Sequence, residues 1–113
     1  FASFAFAVGI TFNGAPVTLN NNGLNVGDDA PDFYATSIDL EDISVGGAKG
    51  RVQVIAFVPS LDTGTCGLQA IEFNKQIAKM GDVQLTIVSK DLPFAQKRFC
   101  VDNDIKNIQQ IKG

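Results

Sequence analysis

Histidine is absent from this 113-residue chain, and so is tryptophan. Without histidine there is no Ser-His-Asp or Cys-His catalysis, no histidine zinc site and no histidine proton shuttle. No basic run occurs, and 9 Lys+Arg against 12 Asp+Glu leave a net charge of −3, so nucleic-acid binding has no electrostatic support. No apolar stretch reaches the roughly 18 residues that a membrane-spanning helix needs. Charged residues are sparse at 19%, while the 45% of apolar residues is ordinary for a packed domain and too high for a disordered tail. The length allows a single domain. What remains with reactive potential is two cysteines, Cys66 and Cys100.

Residues 1–7 read Phe-Ala-Ser-Phe-Ala-Phe-Ala, all small or apolar. Ala5-Phe6-Ala7 fits the A-x-A pattern that precedes signal-peptide cleavage. This reads as the remnant of an export signal ahead of a domain over 8–113. It implies a periplasmic protein, where a disulfide persists; a plain apolar extension on a cytoplasmic protein is the alternative.

Ile10-Thr11-Phe12 and Val17-Thr18-Leu19 flank Asn13-Gly14-Ala15-Pro16, which reads as a hairpin around an Asn-Gly turn. Asn20-Asn21-Asn22-Gly23 is a second turn, and Val26 to Phe33 is a loop leading into an extended segment. Ile43-Ser44-Val45 is a weak strand ended by Gly46-Gly47. Val52 to Val58 is nearly all apolar and predicts a central strand buried on both faces. A helix follows from about Cys66 to Met80, with Ala70, Phe73, Ile77 and Met80 on one stripe and Gly81 as its stop. Val83 to Ser89 is a second buried strand, Lys90 to Pro93 a turn, and Phe94 to Phe99 a short helix carrying Cys100. Strand, helix and strand with short loops predict a parallel βαβ unit.

Cys66 falls at the first turn of the helix. Unpaired N–H groups and the helix dipole favour an anion there, and the thiolate is the nucleophilic form of a cysteine. Thr63 can turn its hydroxyl to the same point, donating to a bound oxygen. Pro59, which has no N–H, can shield the sulfur, and Gly64 permits a tight approach. By residue type alone, a pair of cysteines in an exported domain favours a plain structural disulfide. Asp62 and Arg98 read as solvated charges, and Phe94 and Phe99 as core or rim residues around Cys100.

Pro59-Ser-Leu-Asp-Thr-Gly-Thr-Cys66 matches the Pro-x-x-x-Thr-x-x-Cys signature of the peroxiredoxins. With Phe73-Asn74, Asp91-Leu-Pro-Phe-Ala-Gln-Lys-Arg-Phe-Cys100, Phe12 to Leu19 and Val26 to Phe33, the chain resembles their bacterial thiol peroxidase subfamily from about Gly9 to Ile108. The resemblance implies an α/β, thioredoxin-like fold with an N-terminal β-hairpin. It implies that Cys66 is the peroxidatic cysteine, attacking a hydroperoxide to become a sulfenic acid. Cys100 is then the resolving cysteine, forming an intramolecular Cys66–Cys100 disulfide that thioredoxin or a similar dithiol reduces. Thr63 and Pro59 shape the peroxide pocket. No metal, haem or flavin is called for, and a homodimer is compatible. A non-enzymatic, disulfide-stapled binding or structural domain is the alternative; the absence of a Cys-x-x-Cys pair speaks against a disulfide oxidoreductase.

The chain departs from that family in two ways. It is shorter, so the sheet is expected to lack its C-terminal strands and helix and to expose the edge they would cover. The family's active-site arginine has no counterpart: Arg51 and Arg98 are the only arginines, and neither matches its position.

Overall fold

The computed structural model describes residues 9–20, 23–106 and 108–113. The export-signal reading of residues 1–7 lies outside these, as do Asn21 and Asn22 of the second turn.

The chain opens with a small hairpin, β1 (Thr11–Phe12) and β2 (Ala15–Pro16), paired Thr11 to Pro16 and Phe12 to Ala15. Asn13 and Gly14 both take positive φ, 51° and 80°, as a two-residue turn between twisted strands requires. The turn is tighter than the sequence reading had it, so the returning strand begins at Ala15. Every described residue from 9 to 32 is exposed. Phe12 and Val26 therefore stand in solvent, and the molecule extends 51 × 36 × 27 Å.

The body is one five-stranded sheet. Its strands are β3 (Phe33–Ser37), β4 (Asp42–Val45), β5 (Val52–Phe57), β6 (Val83–Ser89) and β7 (Ile108–Lys112), in the order β4-β3-β7-β6-β5. β5, β6 and β7 run parallel; β3 lies antiparallel to β7, and β4 antiparallel to β3. Helix α1 (Gly64–Ile77) connects β5 to β6, and α2 (Pro93–Asp102) connects β6 to β7. Gly46 ends β4 at φ 81°, where a Cβ would lie 2.0 Å from the Pro31 carbonyl oxygen, so only glycine fits.

Two apolar layers hold the sheet. On one face Leu85 and Ile87 of β6 meet Ala70 and Ile77 of α1, with Val58 and Leu61 above them. On the other face Val45, Val88 and Ile111 pack together with Phe33, Ala35, Ile43 and Ile55. The parallel pair appears as expected, in register from Val52–Val83 to Phe57–Val88, and β6 has the expected bounds.

Three expectations need correction. β5 is an edge strand rather than the centre: among the described residues only β6 pairs with it, and Val52 and Phe57 are 62% and 69% exposed. An apolar run reports that faces are covered, not that both neighbours are in place. Helix α1 begins two residues earlier and ends at Ile77, which leaves Met80 exposed beyond it. Helix α2 runs from Pro93 to Asp102, so Cys100 lies inside the helix. Strand β7 was not expected at all, because Ile108-Gln-Gln-Ile-Lys112 carries two glutamines at its middle.

Candidate active site

The carboxyl end of β5 delivers the chain into a tight turn and then α1. The Thr63 N–H donates to the Ser60 carbonyl, 3.3 Å away, closing the turn. Thr63 holds the N-cap position with extended backbone, φ −88° and ψ 142°, but its side chain does not cap. Its hydroxyl donates instead to the same Ser60 carbonyl at 2.8 Å. A hydroxyl has one proton, so in this arrangement Thr63 meets an incoming molecule as an acceptor, not as the expected donor.

Cys66 is the third helical residue, half-buried against the α1–β6 core. The first helical N–H satisfied within the helix is that of Gly67, which bonds the Thr63 carbonyl at 2.9 Å. Those of Gly64, Thr65 and Cys66 are the donors that a helix start leaves over, with no acidic residue in the first turn. Gly64 has open space around it; the close approach is at Gly67, where a Cβ would lie 3.2 Å from the Leu61 carbonyl and 3.4 Å from the Phe99 ring. Phe99 thus wedges α2 against the turn that carries Cys66. Pro59 is exposed and lines a hollow of about 450 Å³ with Phe57, Val58, Val88 and Lys90; Cys66 is not part of that lining.

An acid that the sequence reading passed over fastens this turn. Asp91, just after β6, accepts from the Ser60 hydroxyl at 2.6 Å, the Leu61 N–H at 2.8 Å and the Ser89 hydroxyl at 2.9 Å. Burial alone would raise its carboxyl, but the bonds from Ser60, Leu61 and Ser89 outweigh it and hold Asp91 below the usual carboxylate value. The Ser89 oxygen in turn accepts from Gln96 Nε2 at 2.9 Å, and Gln96 sits fully buried on α2. One chain of hydrogen bonds therefore runs from α2 to the Cys66 turn. The sequence signal was the Ser89-Lys-Asp91 spacing at a strand end, where short polar side chains bond nearby backbone.

Cys100 is 9% exposed and faces inward with Pro93 and Gln96. Burial pushes its thiol up, and a polar contact with the Gln110 side chain acts the other way. That contact falls short of a hydrogen bond, since neither Gln110 amide atom has a partner. Both thiols are free. Phe94 is exposed, while Phe99 joins the core. Asp62 and Arg98 are exposed. Arg51 pairs with Asp82 at 3.0 Å beside the first β5–β6 pair, at the end of β5 away from Cys66. Among the described residues no group of three His, Cys, Asp or Glu side chains is placed to hold a metal.

A parallel βαβ core with a cysteine in the first turn of its helix, at the carboxyl end of the strand, defines a thioredoxin-like domain. Residues 25–110 match the Redoxin family, and the chain belongs to it. It is 46% identical over 102 residues to the thiol peroxidase of Bacillus subtilis, covering 90% of this chain and 61% of that protein. Against the thiol peroxidase of Aquifex aeolicus it is 50% identical over 99 residues, covering 88% and 59%. The crystal structure of a peroxiredoxin-like protein from Aquifex aeolicus matches with a TM-score of 0.84 at 47% identity, over 92% of this chain and 61% of that one. The fold is therefore the peroxiredoxin form of the thioredoxin-like class. The chain spans about three-fifths of the length of these relatives.

Proposed function

We propose that this chain carries the two-cysteine chemistry of a thiol-dependent peroxidase. The observation that carries the reading is Cys66 at the third position of a helix start whose N-cap, Thr63, leaves the first turn uncapped and keeps its hydroxyl oxygen as an acceptor. The Cys66 thiolate attacks one oxygen of a hydroperoxide. An S–O bond forms, the O–O bond breaks, and the departing alkoxide or hydroxide takes a proton to leave as alcohol or water. The spare N–H groups of Gly64, Thr65 and Cys66 supply hydrogen bonds to the developing negative charge. Arg51 lies too far along β5 to share in this. Cys66 is left as a sulfenic acid. Cys100 then condenses with it, and the resulting disulfide is reduced by a dithiol protein of the thioredoxin kind. Relatives named thiol peroxidase at 42–50% identity support this reading.

The test uses a Cys100→Ser variant, which stops the reaction at the sulfenic acid. After substoichiometric hydrogen peroxide, a sulfenic-acid probe should label Cys66 alone, and Cys66→Ser should abolish the label. Labelling elsewhere, or none, refutes the assignment. Thr63→Val, which keeps the size and removes an acceptor for the hydroperoxide O–H, should slow the peroxide step by roughly five- to tenfold, the scale of one lost neutral hydrogen bond.

A further inference from the structure

Helix α2 turns Pro93, Gln96 and Cys100 toward the sheet. Opposite them lies β7, whose Gln110 is level with Ile87. Ile87 belongs to the α1-facing core, so Gln110 lies on the same face of the sheet, the face both helices cover. Two buried amides therefore share the space under α2. Gln96 spends its Nε2 on the Ser89 oxygen and the Ile111 carbonyl, both at 2.9 Å. Gln110 is 1% exposed, and neither its Nε2 nor its Oε1 has a partner. Leaving such a group bare is costly, so a bare amide beside a cysteine calls for an explanation.

We propose that Gln110 is the hydrogen-bond donor to the Cys100 sulfur in its charged form, idle while Cys100 is a thiol and engaged when Cys100 is a thiolate. A neutral thiol is a weak acceptor, whereas a thiolate is a strong one. The inference rests on Cys100 being the resolving cysteine. In that step the Cys100 thiolate attacks the Cys66 sulfenic sulfur; the S–S bond forms, the S–O bond breaks, and the released hydroxide takes up the proton Cys100 gave away, leaving as water. In the reverse sense, a reductant thiolate attacks Cys66 Sγ, the S–S bond breaks, and Cys100 departs as a thiolate into the same amide. Burial opposes charge at Cys100, and the Gln110 contact acts against that burial. The charged groups around the adjoining hollow of about 370 Å³ are Lys97, Asp104 and Lys106. Lys97 is paired with Asp39 at 3.7 Å and Lys106 with Asp104 at 3.2 Å. Gln110 is the uncommitted donor.

The experiment places Gln110→Leu and, separately, Gln110→Met in a Cys66→Ser background, so that Cys100 is the sole thiol. Alkylation by iodoacetamide is followed by intact mass across pH. Both variants should move the midpoint upward by about one pH unit, roughly tenfold less thiolate at a given pH. Their unfolding midpoints should hold or rise, because no bare amide remains. An unmoved alkylation midpoint, or loss of the fold in both variants, overturns the proposal and makes Gln110 a packing residue. With Cys66 restored, disulfide formation after one equivalent of peroxide should slow about tenfold at unchanged sulfenic-acid formation. If the parent protein forms no disulfide at all, the peroxidase reading fails, while the alkylation midpoint still judges Gln110.

Discussion

At the scale of single residues, Asp91 does the most positioning. It holds Leu61 and Ser60 in place, and the carbonyl of Ser60 holds Thr63. Its folded value lies below the usual one, so its contribution is fully present above the unfolded carboxylate pKa of about 3.9 and is lost as pH falls through the lower folded value. Asp91→Asn keeps the shape, removes the charge and turns an amide NH2, itself a donor, toward donors. It should cost about 1–3 kcal/mol near neutral pH. The deficit relative to the parent should shrink once the solution is acid enough to protonate Asp91 in the parent, and urea titrations at several pH values will show this. A deficit constant down to strongly acid pH would mean that the carboxylate charge is irrelevant. Peroxide reactivity at Cys66 should fall in the same variant even where it is fully folded, because the turn would be less well held.

At the scale of elements, the start of α1 offers two glycines with opposite expectations. Gly64 has free space for a Cβ, so Gly64→Ala should stabilise by about 0.5–1 kcal/mol through helix propensity. Gly67→Ala gains the same propensity but presses on the Leu61 carbonyl, which cannot yield while Leu61 N–H is bonded to Asp91. A net loss of about 1 kcal/mol is expected from that crowding. Equal denaturation midpoints for the two would remove the crowding argument. Much at this scale was legible in advance. Val83 to Ser89 announced β6 because every position is compatible with a strand, and the stripe of Ala70, Phe73 and Ile77 located the helix that begins near Cys66. β7 was not legible, since Gln109 and Gln110 look like loop residues and become strand only between partners supplied by residues 33–37 and 83–89. Asp91 and Gln110 escaped for a related reason. Their importance lies in which polar atoms face which, and that exists only after the chain has folded, Asp91 meeting Ser60 and Leu61 from 30 or more positions away and Gln110 meeting β6 across the sheet.

At the scale of the whole molecule, the two thiols start in different settings, one at an exposed helix start and one buried under α2. They are 100 − 66 = 34 positions apart, and closing a loop of that size restrains the unfolded chain by roughly 3–4 kcal/mol on the entropic account. In the proposed resolving step Cys100 would leave its burial, whereas Cys66 is anchored through the turn that Asp91 holds. Oxidation should therefore speed amide exchange over residues 97–102 more than over 64–70. On a non-reducing gel the oxidised protein should run as a monomer; a disulfide-linked dimer, or identical exchange in both redox states, would exclude the intramolecular step. The strand order has a consequence for the birth of the protein as well. β7, at residues 108–112, is the middle strand, with the β3–β4 ribbon on one side and the β5–β6 pair on the other. During synthesis the two flanks leave the ribosome before the strand that joins them, each with an apolar face and an unfilled edge. Closure waits for Ile111, whose fully buried side chain belongs to the second apolar layer. Between the emergence of Ser89 and that of Lys112 the facing edges of β3 and β6 are therefore both open to mispairing.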